Sequence, residues 1–231
     1  MKYDKIAILI PSFNPSQKLI KVVNILNENG FNNIFVVDDG SFKKDIFSKL
    51  DVSKVIINKV NRGKGFSLKN GFKFLINLNY LGVITIDDDL QQDISDIVKI
   101  ADLFLESNGV YLGVRDFKGA PILRRFANKV SSLFFKSIYG ISIVDTQTGL
   151  RCFPCALLND LTKVCGDRFE YEMNVLKYLV NNKIDIHEIP IKTIYNDNRS
   201  HFNSIKDSYR ILKVMFDKNN FWCHNLFIFL I

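Results

Sequence analysis

Short β-rich apolar runs alternate with longer amphipathic stretches through the first half of this chain, and that alternation restricts its fold more than any other feature. Runs near Ile6–Ile10, Ile34–Val37, Lys54–Asn58, Val83–Ile86 and Val110–Gly113 read as strands. Between them, apolar residues recur at helical spacing near Gln17–Asn29, Lys43–Leu50, Ser67–Leu78 and Ile94–Ser107. This order predicts an α/β fold, a mostly parallel, doubly wound sheet flanked by helices. The 231 residues suit a single domain. At that length roughly 70–75% of the unfolded surface leaves water on folding, so the core needs no disulfide or metal staple. Hydrophobic residues at 47% and charged ones at 24% exclude disordered, collagen-like and disulfide-scaffold classes. Cys152 and Cys155 have the spacing of half a zinc site or a redox pair, but only Cys165 follows nearby, so they read as reduced cysteines.

In doubly wound sheets ligands bind beyond the carboxyl ends of the strands. The first strand is followed by Pro11-Ser12-Phe13-Asn14-Pro15, the second by Asp38-Asp39-Gly40-Ser41, the fourth by Asp87-Asp88-Asp89-Leu90-Gln91. Turn chemistry explains one Asp-Gly-Ser. It does not explain three successive aspartates after an apolar strand, where like charges repel and a cation is the usual compensation. Carboxylates at i and i+2 with an amide oxygen at i+4 make a hard-oxygen site for Mg²⁺ or Mn²⁺, an ion that commonly bridges substrate phosphates. Other nucleotide folds fit less well. Gly63-Lys64-Gly65 lacks the third glycine of a dinucleotide fingerprint, and no Walker-type loop is present. A phosphatase pair would stand near the chain start, whereas the first strand ends in Pro11.

At this point the chain resembles family 2 glycosyltransferases of GT-A fold, close to the polyprenyl-phosphate (dolichyl- or undecaprenyl-phosphate) hexosyltransferases. The matching pieces are Ile10–Asn14, Val37–Ser41, Asn61–Gly65, Asp87–Gln91, Gly113–Arg115 and Asp145–Arg151, in the family's order over about residues 6–200. The resemblance implies one glycosyltransferase domain over 1–231, with a nucleotide-sugar half (1–110), an acceptor half (111–200) and a basic helix and apolar tail (201–231). Pro11, Phe13, Asn14, Asp38 and Asp39 would hold the base and ribose of a sugar nucleotide, with Lys64 and Asp88 also on the donor side. Asp87, Asp89 and Gln91 match the metal–diphosphate motif, although Asp88 fills a place that is usually small. Thr148, Gly149 and Arg115 would serve the acceptor and its phosphates, together with Arg125, Arg199 and His201.

The implied activity is inverting, metal-dependent transfer of a hexose from a UDP- or GDP-sugar to a polyprenyl phosphate, with Asp89 and Glu172 as catalytic residues. A hydroxyl acceptor in glycan assembly, the alternative, would need a general base. Glu170 and Glu172 are the candidates, and both also suit a helix start. An inactive, membrane- or partner-binding module is the reading from another class. The sole tryptophan is Trp222, so the tryptophan-bearing acceptor motif of processive synthases is missing, which favours one transfer per acceptor.

Charge sharpens the partner. The net charge is +7, with +1 in residues 1–110 (14 basic, 13 acidic) and +6 in 111–231 (17 basic, 11 acidic). From Phe117 to Val144 there are five basic residues and no acid. On a helix Ile122, Phe126, Val130, Leu133 and Phe134 would share one face, edged by Arg125, Lys129 and Lys136, the pattern of an interfacial helix on anionic lipid. Lys206, Arg210 and Lys213 would form a second stripe before the apolar end Phe221–Ile231. Nucleic acid is disfavoured by the acidic strand ends and by the lack of a recognisable binding motif. The run Ile6–Ile10 is too short for a signal peptide, and no stretch approaches the roughly 20 apolar residues of a membrane span. The expectation is a peripheral protein on the cytoplasmic face of the cell membrane.

Overall fold

A computed structural model describes residues 2–116 and 122–192. The elements are β1 (Ile6–Ser12), α1 (Lys18–Glu28), β2 (Ile34–Asp38), β3 (Lys54–Ile57), α2 (Lys64–Leu75), β4 (Gly82–Thr85), α3 (Ile94–Ser107), β5 (Val110–Arg115), α4 (Ile122–Tyr139), β6 (Arg151–Pro154), α5 (Leu158–Leu161), α6 (Glu170–Asn181) and β7 (Ile186–Ile191). They build one seven-stranded sheet in the order β3-β2-β1-β4-β6-β5-β7. Every pairing is parallel except those of β6, which runs antiparallel to both β4 and β5.

Strand alternation divides the core between the two faces of the sheet. Ala7 and Leu9 join Leu68, Phe72 and Leu176 beneath α2 and α6. Ile6, Ile8 and Ile10 join Leu19, Val23, Ile97 and Ile100 beneath α1 and α3. All five expected strands are present. The first runs on through Pro11 to Ser12, because the missing Pro11 N–H faces the β4 side, where the ladder has already ended at Leu9.

Two local expectations are corrected, and a third gains its docking face. Lys43–Leu50 is no α-helix; only Phe47–Lys49 form a 3₁₀ turn, since Phe47 is its one fully buried apolar anchor and a lone turn does not offset helix nucleation. Helix α2 starts at Lys64, where Gly63 supplies a positive φ of 107° as its N-cap. Helix α4 forms, but it packs through Asn128, Ser131 and Phe135, which are buried. Asn128 donates to the Val144 carbonyl at 2.8 Å and Ser131 hydrogen-bonds the Thr146 hydroxyl at 2.9 Å. Leu133, assigned to the apolar face, is 63% exposed, and Arg125, Lys129 and Lys136 are exposed beside it. The side chains of Ile122, Phe126 and Phe134 lie outside the described set, as do the second basic stripe and residues 221–231.

A Cβ at Gly71 of α2 would come within 2.4 Å of the Leu9 side chain, itself fully buried. Gly71→Ala should therefore lower unfolding stability by roughly 1–2 kcal/mol, overpacking of about 1–3 kcal/mol exceeding a helix-propensity gain of about 1. Chemical denaturation reads this directly.

Candidate active site

The ends of β1 and β2 are clipped together by short polar contacts. Asp38 Oδ1 accepts from the Ser41 amide at 2.8 Å. The Ser41 hydroxyl accepts from the Asn14 amide at 2.8 Å, and Asn14 Oδ1 accepts from the Phe42 amide at 2.9 Å. Phe13 meets the Phe42 ring edge-on, with centroids 6.2 Å apart. Asp39 is buried too and organises the next loop: Oδ1 accepts from Asn58 Nδ2 (3.0 Å) and the Arg62 amide (3.1 Å), Oδ2 from the Gly63 amide (2.7 Å). A Cβ at Gly40 would fall 2.5 Å from the Val60 carbonyl carbon, so this close crossing requires glycine. Asp38 Oδ2 is buried without a hydrogen-bond partner. A buried carboxylate oxygen left open costs free energy unless a ligand donor meets it.

The second cluster follows β4. Lys64 Nζ sits 2.7 Å from Asp87 Oδ1 and 2.9 Å from Glu172 Oε1. Burial works against the Lys64 charge, but the two carboxylates outweigh it and hold its pKa above the usual lysine range. Burial likewise opposes ionisation of Asp87, and Lys64 overrides it to hold the carboxyl below its ordinary range. Asp89 is pushed the other way, upward, by burial and by the charge of Asp87. Its Oδ1 accepts from the Gln91 amide at 3.0 Å, and its carbonyl accepts from Lys18 Nζ at 3.3 Å. Asp88 accepts a hydrogen bond from the Ser12 hydroxyl, tying this loop to β1. A Cβ at Gly149 would lie 2.2 Å from Asp87 Oδ2, so the 145–150 loop presses its backbone against that carboxylate.

The structure separates the two late glutamates. Glu170 turns back to accept from the amides of Asp167 and Arg168, both at 3.2 Å, and fixes the turn that leads into α6. Glu172 points inward with its side chain only 7% exposed and reaches Lys64. Arg115 is bidentate on Asp145, Nε at 2.6 Å and Nη2 at 2.9 Å. Thr148 is buried, its carbonyl taken by Arg151. Arg125 stands on the exposed side of α4. Arg199 and His201 lie outside the described residues.

Sequence reasoning missed four residues here. Gln92, not Gln91, clamps Asp87, accepting from its amide at 3.1 Å and donating to Oδ2 at 3.3 Å. Asn58 bridges Asp39 and the Ser67 hydroxyl. Asp145 is the buried partner of Arg115, and Arg151 gathers three carbonyls. Asp145 and Arg151 stand in a motif already singled out, but single-letter spacing does not tell which end of a motif turns inward.

Sheet order, the antiparallel β6 and the acidic end of β4 define a GT-A fold. A family model, Glycosyl transferase family 2, matches residues 7–161, and the chain belongs to that family. It is similar to a UDP-N-acetylglucosamine–dolichyl-phosphate N-acetylglucosaminyltransferase of Methanococcus voltae, 29% identical over 83% of this chain and 86% of the relative. It also resembles the glycosyltransferase AglJ of Haloferax volcanii, 26% identical over 74% of this chain and 58% of that one. Among solved structures, glucosyl-3-phosphoglycerate synthase from Mycobacterium tuberculosis, in complex with Mn²⁺, UDP and phosphoglyceric acid, superposes with a TM-score of 0.73. That match covers 93% of this chain and 78% of the synthase at 14% identity.

Asp167, just before α6, ties to α2 and the loop ahead of it, with Oδ1 2.7 Å from Lys69 and Oδ2 3.3 Å from Arg62. Partial burial opposes its charge, but Lys69 and then Arg62 draw its carboxyl below the ordinary range. A depressed folded pKa stabilises above the unfolded value and is lost as pH falls through the folded one. The melting-temperature difference between wild type and Asp167→Asn should thus be full at neutral pH and vanish in strong acid, as thermal scans across that range would show.

Proposed function

We propose that the protein is an inverting, divalent-metal-dependent transferase that moves a hexose from a UDP- or GDP-sugar to a polyprenyl phosphate at the cytoplasmic face of a membrane. The observation that carries this reading is the charge arrangement after β4, where Asp87 stands beside Lys64 and against the Gly149 backbone and Asp89 follows two residues on. Among the described residues no three His, Cys, Asp or Glu side chains converge into a ready-made metal cage. Two carboxylates, one of them pushed above its ordinary pKa range by burial and by the other, still suit Mg²⁺ or Mn²⁺, which often takes one or two protein carboxylates and completes its shell with water and substrate phosphates. Asp87 and Asp89 would hold the ion, with Gln91 as a further oxygen donor. Bound there, it would supply Lewis-acid neutralisation of the leaving diphosphate.

The chain's own residues do the rest. Pro11, Phe13, Asn14, Asp38 and Asp39 receive the nucleoside, and the open Asp38 oxygen is ready to accept one of its donors. Lys64 adds its ammonium charge at the diphosphate end, and Asp88 holds the loop to Ser12. The bond between the anomeric carbon and the diphosphate oxygen breaks, and its electron pair leaves on the diphosphate. An acceptor oxygen forms the new bond from the opposite face, which inverts the centre. A phosphate acceptor is already anionic at neutral pH and needs no base. Thr148, Gly149, Arg115 and Arg125, together with Arg199 and His201, would receive it. The similarity to a dolichyl-phosphate transferase supports a lipid phosphate. A glycan hydroxyl would need a base, and Glu172 is the carboxylate in place for that variant.

Membrane attachment rests on α4, whose Arg125, Lys129 and Lys136 are exposed beside exposed Leu133, followed by half-exposed Ile141 and Val144. Among the described residues no helix is long and apolar enough to cross a membrane.

A panel of UDP- and GDP-sugars offered with undecaprenyl phosphate and with glycan acceptors tests the activity. With Mn²⁺ or Mg²⁺ present, Asp89→Asn should cut transfer by about 100-fold or more; unchanged transfer removes the metal assignment. No donor turnover by the wild type would leave an inactive binding module instead. For attachment, anionic vesicles should pellet the wild type in low salt and release it in high salt. Equal pelleting after Arg125, Lys129 and Lys136 are all changed to Glu would remove α4 from the membrane contact.

A further inference from the structure

Arg151 is the least expected residue of the centre. It sits on β6, in the middle of the sheet, paired with Thr85 and Leu112, and is 2% exposed. A buried arginine ordinarily meets a carboxylate. Here Nε donates to the Thr148 carbonyl (2.8 Å), Nη1 to the Glu172 carbonyl (2.8 Å) and Nη2 to the Thr146 carbonyl (3.2 Å). Its charge is offset at longer range by Glu172, Asp145 and Asp87. The planar fork of a guanidinium donates in several fixed directions at once, which a lysine cannot copy.

These three carbonyls belong to the two segments that close on Asp87. The loop of Thr146 and Thr148 carries Gly149, whose backbone abuts Asp87. The Glu172 carbonyl lies in the first turn of α6, from which the Glu172 side chain reaches Lys64. The same loop is gripped from two other sides: Thr85 Oγ1 donates to the Gly149 carbonyl at 2.9 Å, and Ser131 bonds Thr146. So many independent restraints on four residues exceed what an ordinary surface loop needs.

We propose that Arg151 is a positioning residue for glycosyl transfer, fixing the 146–149 loop against Asp87 and the start of α6 against Lys64, so that the acceptor oxygen and the leaving diphosphate are held in line. The proposal rests on the transfer reading above. Arg151 touches no reacting atom; it sets the acceptor side, while the Asp38–Asp39 clips that set the nucleoside side stay independent of it.

The test compares full-length wild type with Arg151→Lys, using a sugar nucleotide the wild type turns over, Mn²⁺ and undecaprenyl phosphate. Three quantities are read: Kd for UDP with Mn²⁺, donor hydrolysis without acceptor, and transfer to acceptor. The expected outcome is a UDP Kd within about threefold of wild type and a transfer-to-hydrolysis ratio reduced about tenfold or more, since misplacement by roughly 1 Å can cost ~100-fold in rate. A lower melting temperature with an unchanged ratio would make Arg151 purely structural and overturn the proposal. If the lysine variant does not fold, Arg151→Gln, uncharged but still a donor, is read by the same ratio; failure of both to fold also assigns Arg151 to stability alone. A wild type that turns over no donor sinks the transfer reading itself, a different result from normal wild-type turnover with an unchanged variant ratio.

Discussion

Carboxylates gathered at one rim of a parallel sheet repel, and the structure depends on the ammonium that holds them together. Lys64 stands between Asp87 and Glu172, residues 23 and 108 positions away, and contacts both within 2.9 Å. That shared cation joins the half of the chain that ends β4 to the half that begins α6. Its burial raises the electrostatic stakes, because an attraction is screened less where side chains exclude water. Against its burial, Lys64 draws the Asp87 carboxyl below its ordinary range, while burial and the charge of Asp87 push Asp89 above it.

The antiparallel β6 makes this meeting possible. Inserted between β4 and β5, it returns the chain across the sheet just after the 145–150 loop, so that loop lies over the end of β4. Glycine is required where the loop touches Asp87, and arginine follows two residues on, directed into the core. The loop is thus shaped by backbone contact on one side and carbonyl capture on the other.

Away from the site, α4 shows what an amphipathic pattern leaves out. Helical spacing grouped Val130 with Leu133 on one face, read as meeting lipid, and the helix docks on the protein through a different set, Asn128, Ser131 and Phe135, with two polar side chains bonding the next segment. A polar docking face is legible only when its partners are known. The apolar and basic side chains left outward are what a lipid headgroup region accommodates.

Much was legible from residues alone. Continuous apolar runs followed by Asp-Asp-Gly-Ser and Asp-Asp-Asp located five strands and two of the site's three edges, because strand burial and turn chemistry act over a few neighbouring residues. Beyond reach were β6, four residues between an arginine and a proline, and β7, whose half-exposed alternation is weak. So were the clamp of Gln92 on Asp87 and the different directions taken by Glu170 and Glu172. Each of these rests on a contact between segments far apart in sequence, or on which way a side chain turns, and neighbouring residues do not encode either. By itself the sequence determined which groups would stand at the rim of the sheet; only the tertiary structure decided which of them face one another, since charge pairing and close backbone approach are properties of packed space.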